Sequence, residues 1–201
     1  TLIFRSLHAG QGILMLLGVL TGYWLLNTWD PHVGHVPFPA APDAVVDLHG
    51  EIGGLFTSAL GVFVVYSLWA GRRRLVQAKS LEQLSKVGKP IWWYTLHRIV
   101  NTGLLILGGL VVLSGEELDD DAMVQGIFSD WAYALHVFAW LGIVVLTLLH
   151  ILLSFKVGGI PLLLSVFRLK VCQKDWPAYW PQRFWDWLYG LSKQFSKTRS
   201  R

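Results

Sequence analysis

The sequence predicts an all-α integral membrane protein built as a bundle of four transmembrane helices. Composition is the first reason. Of the 201 residues, 53% are hydrophobic, only 15% are charged and eleven are tryptophan, which is too apolar for an ordinary soluble domain. Length is the second reason, because four apolar stretches each have about the 20 residues that a helix needs to cross a bilayer.

Polar connections separate the four predicted spans. The spans run from Leu2 to Leu26, from Leu48 to just before Arg72, from Ile91 to Leu113 and from Trp131 to Phe155. The first stretch lacks the small-residue cleavage pattern of a signal peptide, so we expect it to remain as a helix. The connection from Asp30 to Asp47 contains four prolines and is expected to be an exposed loop, in which His32 and His35 are solvated.

The pattern changes after Lys156. The segment from Val157 to Phe167 is apolar but short, and two glycines and a proline interrupt it, so we expect it at the membrane interface. From Trp176 to Phe195, aromatic residues recur at helical spacing with charges between them, which predicts an amphipathic helix in the headgroup plane. The chain therefore divides into a four-helix transmembrane domain at 1–156 and an interfacial or cytoplasmic tail at 157–201.

Charged residues predict how the bundle is oriented. None of the 17 Lys and Arg lies in the first or third connection, whereas ten of the 13 acidic residues lie in or beside those two. By the positive-inside rule, both termini and the second connection face the cytoplasm or its topological equivalent. This distribution explains the net charge of +4, so no nucleic-acid-binding surface needs to be assumed. Membrane lipid is the expected partner of the helices.

Two histidines lie on one face of the fourth span. His136 and His150 are fourteen residues apart, which brings the second within about 40° of the first and roughly 21 Å further along the helix. An imidazole in hydrocarbon needs partners for both ring nitrogens, so an ionisable group there is expensive and indicates a functional site. Two of them at two depths predict two metal centres, one near each membrane surface.

Depth along the helices pairs these histidines with two others. His8 enters the first span from the cytoplasmic side by about six residues, or roughly 9 Å, and it matches His150 in height. His49 opens the second span from the opposite side and matches His136. The predicted pairs are therefore His8 with His150 on the inner side and His49 with His136 on the outer side.

Two pairs of facing imidazoles form the ligand set of two haems in six-coordinate bis-histidine ligation. Because both axial positions are filled, such haems carry single electrons rather than bind oxygen or substrate. Packing is the alternative for any single intramembrane histidine, but four at two matched depths favour ligation. The chain has one cysteine, Cys172, and no C-x-x-C-H sequence, which excludes covalent c-type attachment. The expected cofactors are two b-type haems.

His97 and two arginines have several predicted roles near the inner pair. His97 either replaces His8 as a ligand, bonds a haem propionate together with Arg98, faces a quinone head group or simply packs. Arg5 and Arg98 suit propionates because a guanidinium binds a carboxylate through two parallel N–H groups. Arg5 equally fits a side chain that extends to the inner headgroups.

These residues resemble a known family, the prokaryotic di-haem cytochromes b, which include cytochrome b-561 and the membrane subunits of nickel-iron hydrogenase and respiratory formate dehydrogenase. The resemblance covers about Leu2 to Phe155. It rests on Arg5-x-x-His8 in the first span, on Leu48-His49-x-x-Ile52-Gly53 in the second, and on the spacing of His136 and His150 in the fourth. The ligand pairing of that family agrees with the pairs predicted from depth.

The resemblance implies electron transfer between a donor and the membrane quinone pool, with quinone bound near the inner haem. The chain would be a quinone oxidoreductase or the haem subunit of one, in a bacterial inner membrane or an internal, thylakoid-type membrane. Its expected partner is a redox protein or a larger membrane complex. One departure concerns quinone: the formate dehydrogenase branch has an Asn-x-Gly-Gln-Lys-like run where this chain reads Tyr94-Thr95-Leu96-His97-Arg98.

Two other functions stay open at this point. The first is a structural or docking subunit of a larger respiratory or photosynthetic complex, in which haem is secondary to the role of the chain. The second is a haem-free bundle that binds quinone or pigment.

Overall fold

The computed structural model describes residues 2–30, 36–118 and 130–167, together with Gln182, Trp185 and Tyr189 of the tail. Its elements follow in the order α1 (Leu2–Trp29), α2 (Ala44–Trp69), a 3₁₀ turn (Arg72–Arg74), α3 (Ser80–Leu84), α4 (Pro90–Glu116), α5 (Trp131–Leu163) and a second 3₁₀ turn (Leu164–Phe167). Helices α1, α2, α4 and α5 are long and apolar enough to cross a membrane. The predicted all-α four-helix membrane bundle is therefore confirmed, and the chain is a multi-pass membrane protein.

The helices extend further than the apolar stretches that predicted them. Helix α1 continues to Trp29 instead of ending at Leu26, and α2 begins at Ala44 instead of Leu48. The reason is that backbone hydrogen bonds continue through polar residues once the helix leaves the hydrocarbon. As a result, His49 lies in the second turn of α2 and not, as predicted, in the first.

Helix α5 is interrupted near its end. Gly159 has φ 64° and ψ −168°, a conformation that glycine adopts without a steric penalty. Pro161 follows and cannot donate a backbone hydrogen bond. The regular helix that begins at Trp131 therefore ends where the sequence predicted an interruption, and the turn at Leu164–Phe167 packs against α1.

The bundle consists of two closely packed helix pairs with a looser junction between them. Helix α1 packs along α2, and α4 packs along α5. Between α1 and α5, by contrast, side chains make the contacts: Trp140 Nε1 donates to the Val19 carbonyl oxygen at 3.2 Å, and Thr147 Oγ1 donates to Met15 Sδ at 3.8 Å. We call this junction the α1–α5 gap.

The two ends of the bundle carry opposite charge. The basic end contains the start of α1, the Arg72–Arg74 turn, the start of α4 and Lys156. The acidic end contains the start of α2 and the end of α4, where five carboxylates are exposed: Asp43, Asp47, Glu51, Glu116 and Glu117. No Lys or Arg occurs at the acidic end within the described ranges.

Polar side chains bind the connection between α2 and α4 to α4 itself. Gln83 Oε1 accepts hydrogen bonds from Thr95 Oγ1 at 2.9 Å and from Arg98 Nη1 at 3.4 Å. The backbone N–H of Val76 donates to Thr102 Oγ1 at 3.0 Å. These bonds hold the connection against the first half of α4, close to His97.

Several predictions fall outside the described residues. These are the solvated positions of His32 and His35 and most of the amphipathic helix expected from Trp176 to Phe195. They stay predictions, as does the division of the chain at residue 156.

Candidate functional site

The structure brings His49 and His136 together at the acidic end. Their ring centroids are 6.3 Å apart, with the planes at 75°. Two imidazole nitrogens held about 2.0 Å on either side of one metal ion put the ring centres roughly 6 Å apart. The spacing of this pair therefore suits two axial ligands of a single iron.

Hydrogen bonds set the tautomer of both rings. His49 Nδ1 lies 2.7 Å from Thr21 Oγ1, and the Thr21 hydroxyl donates to the Leu17 carbonyl at 2.8 Å. Since that hydroxyl has a single proton, it accepts the bond from His49, so Nδ1 carries the hydrogen. The lone pair of His49 Nε2 is therefore available to a metal.

The same arrangement occurs at His136. Its Nδ1 lies 3.3 Å from Ser114 Oγ, and the Ser114 hydroxyl donates to the Leu110 carbonyl at 2.7 Å. The ring thus donates from Nδ1 and leaves Nε2 free as a ligand. A hydrogen bond that fixes the second nitrogen is the usual support of a metal-binding histidine.

Two glycines make room for these rings. A Cβ at Gly22 would lie 3.2 Å from His49 Cε1, and a Cβ at Gly115 would lie 3.2 Å from His136 Cε1. Both distances are shorter than ordinary van der Waals contact, so any larger side chain would displace the imidazole. Glycine at these two positions allows the rings to take the positions that the structure shows without a shift.

A cavity of about 190 Å³ adjoins the acidic-end pair and contacts all four long helices. His49, His136 and Trp140 line it, together with Gly53 and Gly54. Typical small-molecule pockets measure about 300–1,000 Å³. A ligand as large as a porphyrin would therefore have to turn side chains in the cavity wall or move the helix pairs apart across the α1–α5 gap.

The structure also brings His8 and His150 together, at the basic end. Their ring centroids are 5.8 Å apart and the planes meet at 33°. His150 Nδ1 lies 2.8 Å from Asn101 Oδ1, and Asn101 Nδ2 donates to the Arg74 carbonyl at 3.0 Å. Since the amide oxygen can only accept, His150 donates from Nδ1 and presents its Nε2 lone pair.

His8 differs from the other three predicted ligands in its surroundings. Phe4 and Phe63 contact its ring at centroid distances of 5.6 and 6.1 Å. The Arg74 guanidinium in turn stacks over Phe4 at 3.9 Å. Within the described ranges His8 has no side-chain hydrogen bond, so its orientation depends on these aromatic contacts and on His150.

His97 is close to the same site but is oriented differently. Its ring centroid lies 5.0 Å from that of His150, and its Nε2 lies 3.2 Å from Ser154 Oγ. The nitrogen that a helical histidine usually offers to iron is thus engaged with a hydroxyl. This geometry favours a hydrogen-bonding role for His97 over replacement of His8 as a ligand.

The two predicted arginines are not equivalent. Arg98 extends to Gln83 in the connection and is therefore already bound to the protein. Arg5 lies half-buried in the first turns of α1, one turn before His8. The prediction overlooked a third cation, Arg74, whose guanidinium lies 3.9 Å from the ring of Phe4. The run of three arginines at 72–74 was the pattern that could have indicated it.

Sequence reasoning also missed the residues that bond to the rings: Thr21, Asn101, Ser114 and Ser154. Of these four, Asn101 could have been predicted from the sequence, because an amide in an apolar span needs a hydrogen-bond partner. Among the described residues no three His, Cys, Asp or Glu side chains form a cluster that could hold a metal ion. Pairs suffice for haem, since the porphyrin supplies the other four ligands.

The donor set fits haem better than a bare metal ion, because two histidines face each other at each end and three of the four present Nε2. Comparisons with protein-family models, with curated proteins and with solved structures find no match to this chain. The resemblance to di-haem cytochromes b and the ligand roles of the four histidines therefore stay predictions that depend on the residues and geometry described above.

Proposed function

We propose that this chain carries single electrons across a membrane through two b-type haems, each held by two histidines. His49 and His136 would ligate the haem of the acidic end, and His8 and His150 that of the basic end. One observation carries the proposal: at both ends a histidine of α5 faces a histidine from another helix, with its Nδ1 bonded to a protein oxygen.

When bound, haem supplies an iron that takes up and releases one electron without changing its ligands. The residues of the chain do the remaining work. Asn101, Thr21 and Ser114 hold the imidazoles in the tautomer that ligation requires. The apolar helices shield the rings from bulk water, so the electron would move between fixed sites with little reorganisation of bulk solvent.

We further propose that quinone exchanges electrons at the basic end. His97 supports this part of the proposal. Its Nε2 bonds to Ser154, so the ring lies beside His150 without serving as an iron ligand. A histidine there is suited to give or accept the proton that accompanies quinone reduction. The basic end would face the cytoplasm, in a bacterial inner or thylakoid-type membrane, with a redox protein or a larger complex as donor.

An absorption spectrum of the full chain purified from membranes tests the proposal. We expect reduced-minus-oxidised bands of low-spin b haem and a pyridine haemochrome content of two haems per chain. A chain that neither contains haem nor binds added haemin would overturn the proposal. The alternatives would then be a docking subunit of a larger complex or a haem-free quinone- or pigment-binding bundle.

A further inference from the structure

Gln11 is a buried amide in the apolar part of α1. Only 8% of the residue is exposed, and among the residues that the structure describes neither Nε2 nor Oε1 has a hydrogen-bond partner. An amide left unpaired in an apolar interior costs on the order of 1–3 kcal/mol, and such groups in native proteins usually bind ordered water. Gln11 therefore needs a partner that the neighbouring side chains do not provide.

The contacts on either side of Gln11 place it against one turn of α5. One turn before it, His8 contacts His150. One turn after it, Met15 contacts Thr147. Because α1 and α5 are antiparallel, Gln11 lies across the gap from the turn that contains Thr147 and His150, on the mid-membrane side of the basic-end pair.

Thr147 differs from several other hydroxyl residues of the bundle. Thr21, Thr57, Thr102 and Ser114 each donate to the carbonyl four residues earlier, which is the common arrangement in apolar helices. The Thr147 hydroxyl is instead directed across the gap to Met15 Sδ, at 3.8 Å. A thioether is a weak acceptor, so the Thr147 hydroxyl could also bond to a stronger partner in the gap.

We propose that Gln11 and Thr147 together bind an internal water molecule in the α1–α5 gap, between the two histidine pairs. Gln11 Nε2 and Oε1 and Thr147 Oγ1 offer three polar atoms, and a buried water typically makes about three hydrogen bonds. The site requires no haem. Only its consequence for electron transfer depends on the proposed function: the dipole of this water can turn when the charge of the basic-end centre changes.

Magnetic resonance of the water contact tests the site directly. The full chain, labelled with ¹⁵N-glutamine and reduced with dithionite in lipid nanodiscs, should show a cross-peak between water and the Gln11 side-chain amide. Its sign should be that of a long-lived bound water. The variant Gln11→Leu assigns the signal by removing it. Thr147→Val, which keeps the shape of the side chain, should weaken or remove the cross-peak, because the water would keep only two of about three hydrogen bonds.

Ser58→Ala is the matched control, because the Ser58 hydroxyl is exposed and already donates to the Gly54 carbonyl. It should leave the cross-peak unchanged. A Gln11 amide without a water cross-peak, or a cross-peak that Thr147→Val leaves intact, would overturn the proposal.

Thermal unfolding gives a second readout in case the Gln11 signals overlap others. If Gln11 binds water, Gln11→Leu lowers the midpoint of unfolding, because it removes a satisfied polar group. If Gln11 is simply unpaired, the same change raises the midpoint. The latter result contradicts the proposal.

In protein that holds two haems, Thr147→Val should shift the potential of the basic-end centre more than that of the acidic-end centre. If the chain proves to hold no haem, the water measurements still test the site.

Discussion

The Nδ1 atom of His150 lies 2.8 Å from Oδ1 of Asn101, and the amide nitrogen of Asn101 donates to the backbone carbonyl of Arg74. The second bond fixes which end of the amide meets the histidine. A backbone carbonyl in the connection between α2 and α4 thereby determines which nitrogen of the half-buried His150 imidazole carries the proton. This chain of two hydrogen bonds links the polar surface of the basic end to its histidine pair.

Asn101→Leu should weaken haem binding at the basic end selectively. Loss of a hydrogen bond to a ligating histidine typically lowers metal affinity 10–100-fold, because the ring is no longer held in one tautomer and orientation. We expect the acidic-end haem to be retained. Haemin titration of the apoprotein, followed by absorbance, measures the two affinities.

Asn101→Asp provides the matched comparison, since it keeps an acceptor at the same position. It should retain haem and lower the midpoint potential of the basic-end centre, because a carboxylate increases the electron density on the imidazole. Equal losses at both ends in Asn101→Leu, or full binding at the basic end, would contradict the assigned role of this bond.

Replacing single histidines should remove the haems one at a time. His136→Ala is expected to remove the acidic-end haem and His150→Ala the basic-end haem, because each deletes one of two axial ligands. His97→Ala should retain both haems, since its Nε2 bonds to Ser154. Pyridine haemochrome analysis gives the haem content. A His136→Ala or His150→Ala variant that still holds two haems would show that the pairing is wrong.

The sequence predicted the helices and the facing histidines because both depend only on position along the chain. Apolar length identifies the spans, and the number of residues from each end gives the depth of His8, His49, His136 and His150. The partners of the rings depend on the rotation of each helix about its axis and on side-chain torsions. Spacing along the chain does not contain that information, so Asn101, Thr21 and Ser114 emerged only from the structure.

His97 illustrates the same limit. Depth alone made it an alternative ligand to His8, since both lie at the basic end. The structure distinguishes them by orientation: the Nε2 of His97 points to Ser154 on α5. The predicted start of α2 failed for a different reason, because a helix can begin in polar residues outside the apolar stretch, as α2 does at Ala44.

Gly115→Val should disrupt the acidic-end site and leave the basic-end site intact. A Cβ at this position would already approach His136 Cε1 to 3.2 Å, and the branched side chain of valine adds two methyl groups beyond it. We expect the acidic-end haem to be lost or its affinity to fall at least about fivefold, from a strain of roughly 1–3 kcal/mol. Haem content and the reduced spectrum measure the effect.

Gly109→Val is the control for this change. Gly109 lies on the same helix, and a Cβ there would meet no atom of the described residues within 4 Å. Valine in the interior of the helix, at Gly109, costs at least as much helix stability as valine in its last turn, at Gly115, so a larger loss in Gly115→Val reports the contact with His136. If Gly109→Val lost as much of the acidic-end haem as Gly115→Val, the effect would be one of helix stability.

The opposite charges of the two ends should separate the potentials of the two centres. Arg5 and Arg74 lie near the basic-end pair, whereas Glu116 lines the cavity beside His136. Positive charge stabilises the reduced iron and negative charge the oxidised iron, so the basic-end centre should have the higher potential. Electrons would then move from the acidic end to the basic end.

Glu116→Gln tests this electrostatic argument at one residue. Glu116 is exposed, so solvent and salt screen its charge, and removing it should change the energy of a nearby centre by at most about 1 kcal/mol. We therefore expect the acidic-end potential to rise by a few tens of millivolts and the basic-end potential to stay constant. A redox titration followed at the haem bands resolves both. Glu117→Gln is the control, because Glu117 is the neighbouring exposed carboxylate and does not line the cavity. It should shift the acidic-end potential less. An equal shift in the two variants would mean that general surface charge, rather than Glu116, sets the difference between the two potentials.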